Sequence, residues 1–251
     1  MIVNFGPGGV TDLMARALAS GMEKDLGQPV VVQNRPGALG TLGPAYVSKQ
    51  APDGYTLGTV SASVVTTTPH LMNVAVKPED LIQVAGFGKN RYGIVVKQDS
   101  PLKTIDDLVQ SAKGEKSVLF GSPSTPNSLI FFDLGRKTGG KFELVSYKAG
   151  PTGPQRYPLL PNVPTAAESG IKDFAVRHYV GIFGPPGLPD EIADKLNDEI
   201  NKILQEPQVK AAFEAQGDMA TAVDRQTFAK TVATDARNWG ALAQQMNLAA
   251  N

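Results

Sequence analysis

Asn4-Phe5-Gly6-Pro7-Gly8-Gly9-Val10-Thr11-Asp12 is a joint between a strand and a helix, and it decides how the chain is read. Ile2 and Val3 end an apolar strand on its near side. On its far side Val10, Leu13, Met14, Ala17, Leu18 and Met22 recur at helical spacing and predict an amphipathic helix. The glycines between them allow a tight turn and a close approach of backbone to ligand. The first N–H groups of a helix have no internal partner, and its dipole places partial positive charge there. Such a joint can hold an anion without any basic side chain. Phe5, Gly8, Gly9, Val10, Thr11 and Asp12 are its candidate binding residues. A phosphate loop is excluded, because no Lys-Ser/Thr pair follows the glycines and no G-x-G-x-x-G is present. On this segment alone a purely structural turn serves as well, so the rest of the chain has to arbitrate.

Strand and helix patterns alternate downstream. Strands are predicted at Pro29–Gln33, Tyr55–Val60, Tyr92–Lys97, Ser117–Phe120 and Phe142–Tyr147. Helices are predicted at Gly40–Gln50, after the N-cap Thr104, and at Ser128–Thr138. Such alternation argues for an α/β sheet with ligands at the carboxyl ends of its strands. A second joint, Gly121-Ser122-Pro123-Ser124-Thr125-Pro126-Asn127-Ser128, is the polar counterpart of the first. Ser122, Ser124, Thr125 and Asn127 offer hydroxyls, an amide and backbone N–H groups at a helix start. Ser61 and Ser63 form a third polar junction after Tyr55–Val60. Two matching cradles about a domain apart argue for opposed lobes holding one small anion, although each cradle alone reads equally well as helix capping.

Beyond Pro151 a proline-rich run leads to an extended stretch at Phe174–Phe183. Helices follow at Pro189–Leu204, Pro207–Gln216 and Arg225–Gln244, with Pro189 expected at the first helical position and Asp224 as a cap. Phe228, Val232 and Trp239 are the expected packing face of the last helix, and these three helices are read as scaffold.

The chain has 251 residues with 24 acidic and 24 basic side chains, and no basic run, so nucleic acid and anionic membranes are not expected partners. No apolar stretch approaches the roughly 20 residues that span a bilayer. The absence of cysteine removes disulfides, thiolate metal sites and cysteine nucleophiles together. Met1-Ile2-Val3 reads as the inside of a strand, so a signal peptide is expected to have been removed.

The stretches FGPGGVTD, LGQPVVVQNRPGALGTLG, APDGYTLG, SPLKTIDDLV, GSPSTPNS and PLLPNVPTAAESG occur here in that order. In this the chain resembles the Bug family, the TctC-like solute-binding receptors of tripartite tricarboxylate transporters, over nearly its whole length. The resemblance implies a two-lobed periplasmic binding protein of Venus-flytrap shape, each lobe a mixed sheet flanked by helices. It implies that both cradles hold carboxylates through backbone N–H groups, hydroxyls and bridging waters. It also implies a receptor rather than an enzyme, without cofactor or metal, acting as a monomer with the membrane components of the transporter. Expected boundaries are 1–97 for lobe one, 98–184 for lobe two, and 185–251 for helices returning to lobe one.

Two departures from the family pattern stand out. Pro123 and Pro126 remove donors from the second cradle, and the bulky Ile130-Phe131-Phe132 behind it points to an apolar or aromatic distal ligand group. Between Gly150 and Thr152 the family carries a further crossover of about 30 residues or more, which this sequence passes over, and residues are expected to be missing there. The enzyme alternative, a small-molecule enzyme on the same fold, finds no G-x-S-x-G and only His70 and His178 as bases. His178 lies in a segment that could reach the cleft, and Tyr179 could stack on a ligand. A ligand-sensing module of a transcription regulator would need a helix-turn-helix, which is not seen.

Overall fold

The computed structural model describes residues 1–90, 94, 96–121, 125–145 and 178–245. They divide into two compact units, Met1–Asn90 with His178–Asn251, and Arg91–Arg177. Unit 1 runs β1 (Ile2–Val3), α1 (Val10–Leu26), β2 (Gln33–Asn34), α2 (Leu42–Val47), β3 (Gly58–Ser61), α3 (Ala62–Thr66), α4 (Thr68–Leu71) and β4 (Ile82–Asn90). Unit 2 holds α5 (Ile105–Ala112), β5 (Val118–Gly121), α6 (Thr125–Thr138) and β6 (Phe142–Val145). The chain returns to unit 1 with β7 (His178–Gly184), α7 (Asp190–Ile203), α8 (Pro207–Glu214) and α9 (Arg225–Gln245).

The unit 1 sheet has the order β2-β1-β3-β7-β4. β1 pairs parallel with β2 and β3, whereas β7 is antiparallel to both β3 and β4. Alternate residues of β7 face opposite layers, as a strand's period of two requires. Val180 and Ile182 join one cluster with Met14, Leu18, Ile200, Ile203 and Phe213. Tyr179 and Phe183 join the other with Val47, Val65, Phe228 and Val232. The sheet is therefore covered on both faces: by α1, α7 and α8 on one side, and by α2, α3 and α9 on the other. Gly21 lets α1 close onto α7, since a Cβ there would stand 2.4 Å from Ile203 Cγ2. Gly86 and Gly181 are ladder partners, and the ring of Phe228 fills the gap they leave. Val84 sits at a shift in the β4–β7 register, and its carbonyl is taken by Asn197 Nδ2 of α7 at 2.8 Å.

In unit 2, α6 connects β5 to its parallel neighbour β6. Leu108, Val109 and Leu134 form the core, with Val118, Phe131 and Phe142 against it. Thr104 caps α5 as expected, accepting from Asp107 N while the Asp107 carboxylate accepts from Thr104 N.

Several expectations require correction. β4 was not expected, while Ile94, Val96 and Lys97 of the expected strand Tyr92–Lys97 are not in a strand; the other three residues lie outside the described set. The stretch 178–184 belongs to unit 1 and not to the second lobe, because β7 is held by ladders to β3 and β4. Pro189 is the N-cap of α7 and not its first helical residue. Asp224 accepts from Thr227 N at 2.8 Å, and Phe228, Val232 and Trp239 are buried as expected. The expected omission at Gly150–Thr152 and the proline-rich run lie outside the described residues.

Candidate functional site

The N-cap of α1 is Gly9, and no side chain caps the helix. Its first backbone hydrogen bond is Leu13 N to Gly9 O, at 2.9 Å. The N–H groups of Gly9, Val10, Thr11 and Asp12 have no protein partner among the described residues. Four donors at the positive end of a 17-residue helix are thus left for solvent or an anion.

Asp12 takes a different part from the one expected. It is 1% exposed, and both carboxylate oxygens are engaged. Oδ2 accepts from Gly8 N and from Arg16 Nε, each at 2.9 Å, and Oδ1 accepts from Asn34 Nδ2 at 2.8 Å. Burial pushes its carboxyl pKa up, but the hydrogen bonds from Arg16, Gly8 and Asn34, with the Arg16 charge, outweigh burial and hold it below the usual value. Asp12 therefore fixes the loop and has no free oxygen for a ligand, which its negative charge would repel in any case. Gly8 is corrected likewise: its N–H is committed to Asp12, and its role is the turn, at φ +80. Arg16 was not expected near the joint. It lies one turn along the helix, and i,i+4 spacing from Asp12 is the signal that finds it.

The chain after β2 borders the same joint. Asn34 Nδ2 also donates to Phe5 O at 3.0 Å, and Arg35 N donates to Val3 O at 2.8 Å. Asn4, fully buried, donates Nδ2 to Gly40 O at 3.2 Å, while its Oδ1 has no hydrogen-bond partner among the described residues. Gly40 and Gly43 make room for it, since a Cβ at either position would come 2.9 Å from an Asn4 atom. The Arg35 guanidinium lies over the Tyr46 ring, 3.6 Å from its centroid.

β1 and β3 are parallel neighbours, so Ser61 emerges at the sheet edge that carries the α1 joint. Ser61 precedes α3, with its Oγ 3.2 Å from that of Ser63. The sheet thus brings Phe5, Gly8, Gly9, Val10, Thr11, Ser61 and Ser63 to one edge of unit 1. Thr125 and Asn127 stand in the first turn of α6, whereas Ser122 and Ser124 lie outside the described residues. His178 opens β7 opposite Asn90, where the chain leaves and re-enters unit 1. Tyr179 is buried edge-on against Phe228 and offers no stacking face. Ile130 and Phe131 are turned to the interior of unit 2, where Phe131 stacks on Phe120 with centroids 4.1 Å apart. Phe132, half-buried, meets Phe120 edge-on with centroids 5.6 Å apart. Among the described residues no group of three or more His, Asp or Glu could hold a metal ion.

The sequence model of the family described as "Tripartite tricarboxylate transporter family receptor" matches residues 14–155 and 134–248. The protein BugT of Bordetella pertussis is 31% identical, over 86% of this chain and 79% of that protein. A TctC solute-binding protein from Polaromonas, solved without ligand, superposes with a TM-score of 0.81 at 23% identity, covering 97% of this chain and 96% of the other. The R. palustris protein Rpa4515, solved with adipate, gives a TM-score of 0.76 at 21% identity over 100% and 97% of the two chains. The fold is thus that of periplasmic binding proteins.

Proposed function

The chain belongs to the receptor family of tripartite tricarboxylate transporters, and from that premise we propose that it captures a small carboxylate, dicarboxylate or aromatic, in the periplasm and delivers it to the transporter's membrane components. The observation that carries this reading is the α1 start, a long helix whose first four N–H groups no side chain caps. Hydrogen bonds to a charged acceptor are stronger than neutral ones, and several converging donors seat a carboxylate without a counter-charge. Gly9, Val10 and Thr11 supply donors to one carboxylate, with Ser61 and Ser63 beside them and Phe5 as a neighbouring wall. The second joint, at Ser122, Ser124, Thr125 and Asn127, takes the other end of the ligand as the two units close by a hinge motion. His178, which opens β7 beside Asn90, supplies a further ligand contact. The adipate held by Rpa4515 supports a dicarboxylate. The receptor acts as a monomer and turns nothing over.

Calorimetric titration with a panel of mono-, di- and aromatic carboxylates tests the reading, with the mixture analysed afterwards for products. Stoichiometric binding with the ligand recovered intact is the expected result. Product formation, or the absence of any carboxylate binding, would overturn it.

A further inference from the structure

Ala38 and Leu39 have φ of +45° and +54°, two consecutive left-handed residues without glycine's freedom. That conformation is unfavourable for a residue bearing a Cβ, and it persists where surrounding contacts over-determine it. Those contacts are present on both sides. Thr41 Oγ1 donates to Ala38 O at 2.8 Å, and Asn4 holds Gly40 O. Phe5 ring atoms would lie 3.0 Å from a Cβ on Gly40. The strain gains no burial, for Leu39 is 62% exposed. Strain that presents a large apolar side chain to solvent, on the loop touching the proposed anion cradle, points to a role outside folding.

The neighbours share its character. Phe5, Val10 and Leu42 are exposed large apolar residues on the same edge of unit 1. Phe5 immediately precedes the glycine turn, Val10 is the first residue of α1, and Leu42 opens α2. Of the nearby cations among the described residues, Arg16 pairs with Asp12 and Asn34, and Arg35 lies over the face of Tyr46 with its Nε buried. On the side of the Ala38–Thr41 loop the α1 donors are therefore bordered by the hydrocarbon of Leu39, Phe5, Val10 and Leu42, whereas the Ser61 and Ser63 hydroxyls lie on the β3 side.

We infer that Leu39, with Phe5, Val10 and Leu42, is a specificity wall that selects carboxylates whose body next to the bound carboxylate is hydrocarbon, alkyl or aryl, over hydroxylated analogues. This rests on the proposed carboxylate receptor function and narrows its substrate class. A hydroxyl brought against such a wall loses water without gaining a partner. A discrimination of roughly 10 to 100 against one added hydroxyl is what an apolar wall supplies.

The test compares affinities within matched pairs, butanoate with 3-hydroxybutanoate and succinate with malate, for the natural chain, Leu39→Gly and Leu39→Asn. Both replacements accept the left-handed backbone, so each should melt no lower than the natural chain. The natural chain is expected to bind the unhydroxylated member at least about tenfold tighter, and both variants to reduce that ratio to about threefold or less. Equal affinities within each pair, or an unchanged ratio in the variants, would overturn the inference while leaving carboxylate binding intact. Failure of every carboxylate to bind would overturn the receptor reading and this inference with it.

Discussion

At the scale of single residues, the joint is organised by a carboxylate that is not itself a binding group. Asp12 holds Gly8 N, Asn34 and Arg16 in one cluster, which leaves the next four N–H groups pointing free of side chains. Asp12→Asn loses the charge and at least one acceptor for Gly8 N, Arg16 and Asn34, and should lower stability by about 1–3 kcal/mol. Because the folded-state pKa of Asp12 is lowered, its contribution is present above the unfolded value and lost as pH falls through the folded one. Thermal melts of both proteins from pH 7 downward should therefore converge in acid. A second substitution isolates the donors. Proline is accepted at a helix's first position, where its missing N–H would have no partner anyway. Val10→Pro should leave the melting temperature nearly unchanged and, measured against Val10→Ala, lower carboxylate affinity about tenfold, the worth of one hydrogen bond to a charge. The glycine turn, the free helix start and Asp12 itself were legible in NFGPGGVTD. The role of Asp12 was not, because Asn34 reaches it from 22 residues away and no local spacing shows that.

At the scale of elements, legibility followed the strength of the local pattern. α1 carries clear apolar periodicity, and α5, α7, α8 and α9 carry start signals at Thr104, Pro189, Pro207 and Asp224; their positions agree with the sequence to within a few residues. β4 was missed because Gly86 and Gly88 interrupt its alternation, and strand preference reflects side-chain packing that glycine cannot supply. Its packing comes instead from Phe228 of α9, which occupies the space above Gly86 and Gly181. The α1–α7 contact contains a pH-sensitive cluster. Burial first, then the hydrogen bond with Asp25, raise the carboxyl pKa of Glu199, while Lys202 holds that of Asp25 down. A raised folded-state pKa gives stability that is full at low pH and lost as pH rises through it. Glu199→Gln should therefore gain melting temperature relative to the natural chain as pH is raised from about 4 to about 8. A gap that narrows over that interval would count against the cluster.

At the scale of the whole molecule, alternating strands and helices and the family motifs revealed an α/β periplasmic-binding-protein fold. They did not reveal that β7 completes the first sheet, because its ladders join residues far apart in the chain, such as Phe87 with Val180 and Gly58 with Phe183. The family match breaks into two stretches whose ends overlap between 134 and 155, around the expected omission at Gly150–Thr152. If residues of the natural protein are missing there, a tryptic digest of that protein will lack the peptide Ala149–Arg156, AGPTGPQR. Its detection at full yield would show the junction to be genuine.

In the proposed receptor, backbone donors at the start of α1 hold the ligand's carboxylate. Following the backbone amide resonances of the 15N-labelled protein during titration with adipate tests it most directly. Saturable downfield shifts of the Gly9, Val10 and Thr11 amide protons are expected, larger than that of Gly8, whose N–H already donates to Asp12. Saturation with those three amides unmoved, and with the Arg16 or Arg35 guanidinium signals shifting instead, would contradict it.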